Sequence, residues 1–497
     1  MPRDNPSIIA DGSSSTPDRT VAGAVLVSAV IIGTIAAVHY ARLGLTLSHY
    51  DARAHLVVAR RLFDNLTPGW RQIGAVWLPL PHLLDAVPVS WPWGYETGYP
   101  VVALSVLSLA LGLAALSLYL LRQGASPVLA VVTPAIVVAN PNLLYLQSTP
   151  MTEPLLLGLA FTSLWLVDRW IEIPNRRRTW SASLALSALM LTRYEGWCIA
   201  TALVAVAAWT QRRRGFATAS ALVPSVVATI AAFLLLSYGA TGVLFVDSGF
   251  FVPDNPAHRA PLVALDQVMT GARDLGGAMV MDAGALGALV CLIALARRRR
   301  QALALATMAA AALPGYAFFE GHPYRVRYMV TLVAGAAILA AMVIALLPRR
   351  AQAIVVVLLL AATLAQHPPF ETTAPMVQEA QWETPFRLQR RAVTAYLSTA
   401  YDGTPILASM GSLGHYMQET SRAGFRLENF LHEGNGDLWV AALDGPARHV
   451  RWLLMEERAE GGDVLAQRAR TDPTFLDGFV RVADGGGLVL YRRLEGR

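Results

Sequence analysis

Apolar residues run through most of this chain in blocks about as long as a bilayer is thick, separated by short polar intervals. A helix needs about 20 apolar residues to cross the hydrocarbon core, with roughly 17 to 25 usual. By that measure the sequence predicts about eleven transmembrane helices, near 21–40, 100–121, 127–145, 154–171, 179–193, 196–210, 217–238, 279–296, 301–319, 328–347 and 351–366. The run 179–211 holds two of them, split by Arg193-Tyr194-Glu195. Two full crossings take about 40 residues. This hairpin is therefore short, and its charged tip is expected below the membrane surface, where ionised side chains are costly and usually functional.

Two polar segments keep a helical repeat. From Asp51 to Leu66 the apolar positions are Ala52, Leu56, Ala59, Leu62, Phe63 and Leu66; in the 239–278 loop they are Leu262, Leu265, Val268, Met269, Ala272 and Leu275. This spacing predicts amphipathic helices lying in the headgroup plane. The stretch 245–261 has enough Gly, Pro and Asn for a mobile loop, expected to close over a site.

Beyond about 367 the composition turns to a soluble mixture. Pro385 to Ala400 reads as a helix, Thr404 to Met410 and His449 to Met455 as strands, Asp463 to Arg470 as a helix, and Phe479 to Ala483 with Leu488 to Tyr491 as a hairpin. The GSLGHY run, Gly411 to Tyr416, follows a strand but is not a phosphate-binding fingerprint. The fold class is thus an α-helical polytopic membrane protein with a small α/β C-terminal domain. Its expected parts are a disordered polar N-terminus over 1–20, a transmembrane domain over 21–366 with outer loops 41–99 and 239–278, and an outer domain over 367–497. The first apolar run lacks a cleavage pattern and reads as a retained span.

Of the 497 residues 55% are hydrophobic and 15% charged, against about a quarter charged in soluble domains. A net charge of +6 does not point to nucleic acid, because the arginines cluster between apolar runs. With the N-terminus cytoplasmic, Arg122, Arg176 to Arg178, Arg212 to Arg214, Arg297 to Arg300 and Arg349-Arg350 all fall on the cytoplasmic side, as the positive-inside rule asks. The expected location is the plasma (inner) membrane, with the C-terminal domain extracytoplasmic. All 40 basic residues are arginine, so a lysine Schiff base or lysine general base is excluded. Cys198 and Cys291 lie in apolar runs and read as small core residues.

The same topology gathers the chemistry-bearing residues on the outer side. Asp51 forms S-x-x-D with Ser48, which fits a capping box. It is also an acid one helical turn from His55, which fits a general base or a metal ligand. Glu153 starts a span, where the helix dipole favours an acid. Arg193 and Glu195 either close their hairpin as a pair or act on a ligand. Arg325 and Arg327, beside His322 and Tyr328, are either interface anchors or a phosphate clamp, since arginine's planar fork binds phosphate bidentately. His82 lies in the same outer loop as Asp51, and Trp77 and Tyr194 offer rings for a sugar to stack on.

In four motifs the chain resembles the GT-C glycosyltransferases, nearest to the protein O-mannosyltransferases and the lipid A aminoarabinose transferases. The motifs are YDARAH at Tyr50 to His55, NPNLLYLQSTPMTEP at Asn140 to Pro154, LTRYEGW at Leu191 to Trp197 and HPYRVRY at His322 to Tyr328. The resemblance implies inverting transfer of a sugar from a polyprenyl-phosphate donor to a glycan, lipid or protein acceptor, with Asp51 as catalytic base or as the acid that organises the catalytic centre. It implies that Arg193, His322, Arg325 and Arg327 hold the lipid phosphate, leaving His55, Glu153 and Glu195 to orient sugar or acceptor. The cofactor alternatives are none, or a divalent ion at Asp51 with His55 as its second ligand. The chain departs from many relatives in having Ala52 rather than a second acid after Asp51, and its tail has no WWDYG-like motif. The alternatives are a transporter or flippase of lipid-linked glycans, or a scaffold whose outer domain binds a partner.

Overall fold

The computed structural model describes residues 16–74, 76–245, 255–459 and 462–494. Most of the expected disordered N-terminus, and residues 246–254 of the expected lid, lie outside them. The helical part of the N-terminus starts earlier than expected: α1 spans Thr16–Arg42.

Each of the eleven apolar runs forms a helix. Beside α1, these are α4 Tyr99–Arg122, α5 Pro127–Ala139, α6 Glu153–Glu172, α7 Arg176–Met190, α8 Tyr194–Gln211, α9 Val223–Thr241 and α11 Ala278–Ala296. The last three are α12 Ala312–Phe319, preceded by a 3-10 segment Arg300–Ala311, α13 Val330–Ile344, preceded by a 3-10 turn Val326–Met329, and α14 Arg349–Gln366. Among the described residues, eight of these segments are long and apolar enough to cross a membrane unaided. The shortfall from eleven comes from α5, α7 and α8. The α7–α8 hairpin is the short one expected, and the predicted 127–145 span breaks at Asn140-Pro141. A proline there cannot donate to the preceding turn, so a separate short helix Pro141–Leu146 starts, capped by Asn140.

Small residues let the helices approach. A Cβ on Gly158 of α6 would lie 2.2 Å from the Ser108 carbonyl oxygen of α4, so only glycine fits that crossing. The central helix α13 is apolar all round and buried along nearly its whole length. At one end of the bundle the arginine clusters meet: Arg122 pairs with Asp168 and Glu172, Arg178 and Arg300 join Glu172, and Arg298 covers Trp209. Arg122, Arg178 and Arg300 thus meet at Glu172, and Arg212 and Arg298 at Trp209.

At the opposite end sit α2 Tyr50–Arg60, α3 Pro79–Ala86 and α10 Pro261–Gly276. The expectation for α2 needs correction. It ends at Arg60, not Leu66, and it is no surface helix: Asp51, Arg53, His55, Leu56 and Val57 are all buried. Leu56, Val57 and Ala59 share one apolar core with Ile406, Tyr416 and Trp452 of the C-terminal domain. A one-sided apolar repeat is satisfied equally by a lipid boundary or a protein one, and here protein covers it. In α10 the buried set is Ala264, Val268, Ala272 and Leu275, while Leu262, Leu265 and Met269 face outward.

The C-terminal domain follows α15 Pro375–Glu379. It comprises α16 Thr384–Ala400, β1 Ile406–Ala408, α17 Met410–Thr420, β2 Phe430–Leu431, β3 Trp452–Glu456, α18 Val464–Thr471, β4 Phe479–Gly485 and β5 Leu488–Arg493. The sheet order is β2-β1-β3-β5-β4, with β1 parallel to β2 and β3, and β5 antiparallel to β3 and β4. The two-residue β2 is too short to leave an alternating pattern. GSLGHY is the first half of α17, not a phosphate loop.

Candidate active site

The site begins with a helix cap. His49, not Ser48, caps α2: its Nδ1 accepts from the Asp51 backbone N–H at 3.1 Å. Ser48 instead donates to the Ala380 carbonyl at 2.9 Å. With capping done by His49, the Asp51 carboxylate is left for another partner, and that partner is Arg327. Burial opposes ionisation of Asp51, but Arg327, helped by Arg325, outweighs it and holds the carboxyl below its ordinary value.

From Arg327 a chain of charges runs into the bundle. Arg327 Nε lies 3.9 Å from Glu153, Arg193 Nη1 lies 3.0 Å from the same Glu153 oxygen, and Arg193 Nη2 lies 2.8 Å from Glu195. Glu153 is 1% exposed and Glu195 2%. Glu153 stands in the first turn of α6 without capping it, at the end of a turn buried throughout from Asn140 to Pro154. Arg193 and Glu195 do pair, and Arg193 also reaches Thr152 at 3.0 Å. Neither oxygen of Glu153 nor Nε of Arg327 has a directed hydrogen bond. Buried polar atoms in proteins are nearly always hydrogen-bonded, and the exceptions cluster where something else binds.

Two residues that the sequence did not single out complete the centre. His49 Nε2 lies 3.1 Å from Arg327 Nη1 and 3.5 Å from Glu379. Because Nδ1 accepts from Asp51, Nε2 carries the imidazole proton and donates to Glu379, so its contact with Arg327 is not a hydrogen bond. Glu379, from α15, also accepts from the Val326 N–H at 3.0 Å. The segment after the last span thus folds back to fix the turn that carries Arg327.

Arg325 is placed differently. It donates to the Tyr50 hydroxyl at 3.2 Å and lies 4.8 Å over the Trp382 ring. His322 contacts the Pro323 carbonyl and, at 3.4 Å, the Tyr328 hydroxyl; Arg327 also lies over the Tyr328 ring. The predicted cluster is therefore split, with Arg327 directed into the charge chain and Arg325 to its partly open edge.

His55, Trp77 and His82 form a second group one turn along α2. His55 Nδ1 is 3.1 Å from His82 Nε2, and His82 Nδ1 is 3.0 Å from the Leu78 carbonyl. A carbonyl only accepts, so His82 carries its proton on Nδ1. His55 must then donate from Nδ1, leaving its own Nε2 as an acceptor. Trp77 stacks parallel to His82 and lies 4.2 Å from the His55 ring. Tyr194 packs edge-on against Trp197, Phe233 and Phe245 and donates to the Val76 carbonyl. Asp51 and His55 thus have other partners, and a divalent ion between them would have to displace Arg327. Among the described residues no three His, Cys, Asp or Glu gather as a metal site.

Burial pushes His82 down to about 3, and burial with nearby Arg61 does the same to His432. A folded-state value below the unfolded one, about 6.5, means the unfolded chain takes up more protons as pH falls. The stabilisation is present in full above about 6.5 and is lost below it, at up to about 1.4 kcal/mol per pH unit for each histidine. Thermal unfolding in detergent should therefore shift to lower temperature between pH 7.5 and pH 5, and His82→Gln should flatten that decline. A pH-independent transition would contradict the buried neutral pair.

No family model and no curated protein sequence matches this chain. Among solved structures it is similar to ArnT from Cupriavidus metallidurans bound to undecaprenyl phosphate, at 14% identity and a TM-score of 0.54, over 97% of this chain and 99% of that one. The apo state of the same ArnT gives 14% identity and 0.54, over 96% and 98%. An Archaeoglobus fulgidus oligosaccharyltransferase complex with zinc and sulfate gives 12% identity and 0.45, over 94% and 73%. The likeness to ArnT extends over nearly the whole of both chains and shows the fold alone: a helical membrane bundle with a C-terminal α/β domain.

Proposed function

We propose that this protein is a multi-pass membrane glycosyltransferase that moves a sugar from a polyprenyl phosphate to an acceptor on the extracytoplasmic side, with inversion. The observation that carries this reading is the buried chain Asp51–Arg327–Glu153–Arg193–Glu195, drawn from four separate segments to one end of the bundle. Ion pairs buried at such cost are weak stabilisers. Their collection beside a partly open edge fits a site that binds an anion. The ArnT of like fold holds undecaprenyl phosphate in its crystal.

The chemistry follows from charge placement. The acceptor oxygen attacks the anomeric carbon from the face opposite the phosphate, and Asp51, ionised, takes its proton. The bond between anomeric carbon and phosphate oxygen breaks, and the phosphate leaves with the electron pair. Arg325 and Arg327 stabilise that developing charge, with Arg193 and His322 behind them. An arriving phosphate competes with Asp51 for Arg327. That competition loosens the pair and makes Asp51 a better base at the moment it is needed. Glu153, Glu195 and His55 orient sugar or acceptor, Trp77 supplies an apolar wall, and no step passes through a metal. The arginine-rich end faces the cytoplasm and the outer domain faces away from it, in the plasma membrane.

A complex with decaprenyl phosphate, imaged by electron cryomicroscopy, tests this reading. The phosphate is expected within hydrogen-bond distance of Arg325 or Arg327. A phosphate bound elsewhere, with both guanidinium groups untouched, would overturn it.

A further inference from the structure

On the side of α2 that carries Arg53 a cavity of about 550 Å³ opens between the bundle and the C-terminal domain. Its membrane side is made by the outer end of α1 and the chain after it, with Gly44 and Leu47, and by Tyr99 at the start of α4. Its other side is α16, where Arg387, Arg391, Thr394 and Ser398 follow the helical repeat and line the space. Arg53 reaches in from α2 and Arg422 from just beyond α17, so four arginines face a single acid, Glu419.

That acid is already taken. Arg53 and Arg390 both pair with Glu419, and Arg53 is itself 3% exposed. Arg387 and Arg391, one turn apart on α16, are like charges that weaken a helix when uncompensated. No described acid forms an ion pair with either. Burial and the neighbouring Arg387, Arg390 and Arg422, only partly opposed by Glu419, bring the Arg53 guanidinium down to about 10. Among the described residues the positive charge of Arg387 and Arg391 has no ion-paired counterpart.

The position tells which anion fits. The cavity lies where α1 and α4 leave the apolar slab, and Ile31, Ile35 and Val38 run up α1 toward it as an outward-facing apolar stripe. A ligand with a phosphate in the arginine pocket can lay acyl chains along that stripe. A soluble anion gains nothing from it.

We propose that this cavity binds the phosphate headgroup of an anionic membrane lipid and so clamps the outer domain to the bundle, separately from the Asp51 centre. This does not depend on the transferase reading. Arg391 is exposed and Arg387 half-buried, and no described ion pair depends on either, so their removal is expected to leave the fold in place.

The test is binding of short-chain phosphatidylglycerol and phosphatidylcholine to delipidated full-length protein, read by native mass spectrometry and by thermal unfolding. Phosphatidylglycerol is expected to bind at least tenfold tighter and to raise the unfolding temperature. The double variant R387A/R391A, and the single reversal R391E, should lose most of that preference. Equal binding of the two lipids, or an unchanged preference in a folded double variant, would overturn the proposal. Inorganic phosphate displacing the lipid at equal concentration would overturn the lipid assignment and make this a site for free phosphate.

Discussion

Arg327→Met is expected to abolish transfer and to destabilise the protein, and the second effect should largely reverse when Asp51 is neutralised as well. Arg327 is 6% exposed, bound to Asp51 and close to Glu153. Removing it leaves Asp51 with only the weaker influence of Arg325, and Glu153 with only Arg193. Losing one partner of a buried pair costs about 3–5 kcal/mol, whereas removing both is often near neutral. The double variant D51N/R327M should therefore unfold closer to wild type than R327M alone, a coupling that a double-mutant cycle reads directly. Equal stability of wild type and R327M would show that the pair carries no such charge balance. Activity should not return in the double variant, because the phosphate then lacks its inner cation.

Asp51→Asn has a different profile: chemistry fails, and the fold loses less than in R327M because Glu153 still stands beside Arg327. Asparagine keeps the volume and can accept from Arg327, and the α2 cap is made by His49, which the substitution does not touch. A lost general base costs about 10²–10⁴ in turnover. Arg327, no longer held by a carboxylate, is free to engage the donor phosphate more strongly. The expectation is a fall in kcat with KM for the lipid donor unchanged or lower. A raised KM with kcat preserved would make Asp51 a binding residue instead.

The spans were legible because their cause is local: a run of apolar residues long enough for a bilayer has few other uses. The shared end of Asp51, Glu153, Arg193 and Arg327 was legible too, since span parity and arginine clusters fix which turns lie together. The pairings within that end were not. His49 and Glu379 are single polar residues 330 positions apart, and nothing in either segment marks the other. Ser48 and His49 both offer an acceptor to the first turn of α2, and only the contact of Ser48 with Ala380 decides between them. The burial of α2 was misread for a related reason, because an apolar helix face does not say whether lipid or protein will cover it. Arg325 and Arg327 look equivalent in sequence; the 3-10 turn at Val326–Met329 sends one inward and leaves the other at the edge.

The central claim is most directly met by following labelled sugar from a polyprenyl-phosphate donor in proteoliposomes, wild type beside Asp51→Asn. Covalent transfer to acceptor by the wild type, with release of polyprenyl phosphate, is the expected result, and Asp51→Asn should retain the donor while transferring at least a hundredfold more slowly. Undiminished transfer by a folded Asp51→Asn protein, or labelled lipid crossing the bilayer with no covalent product, would contradict it.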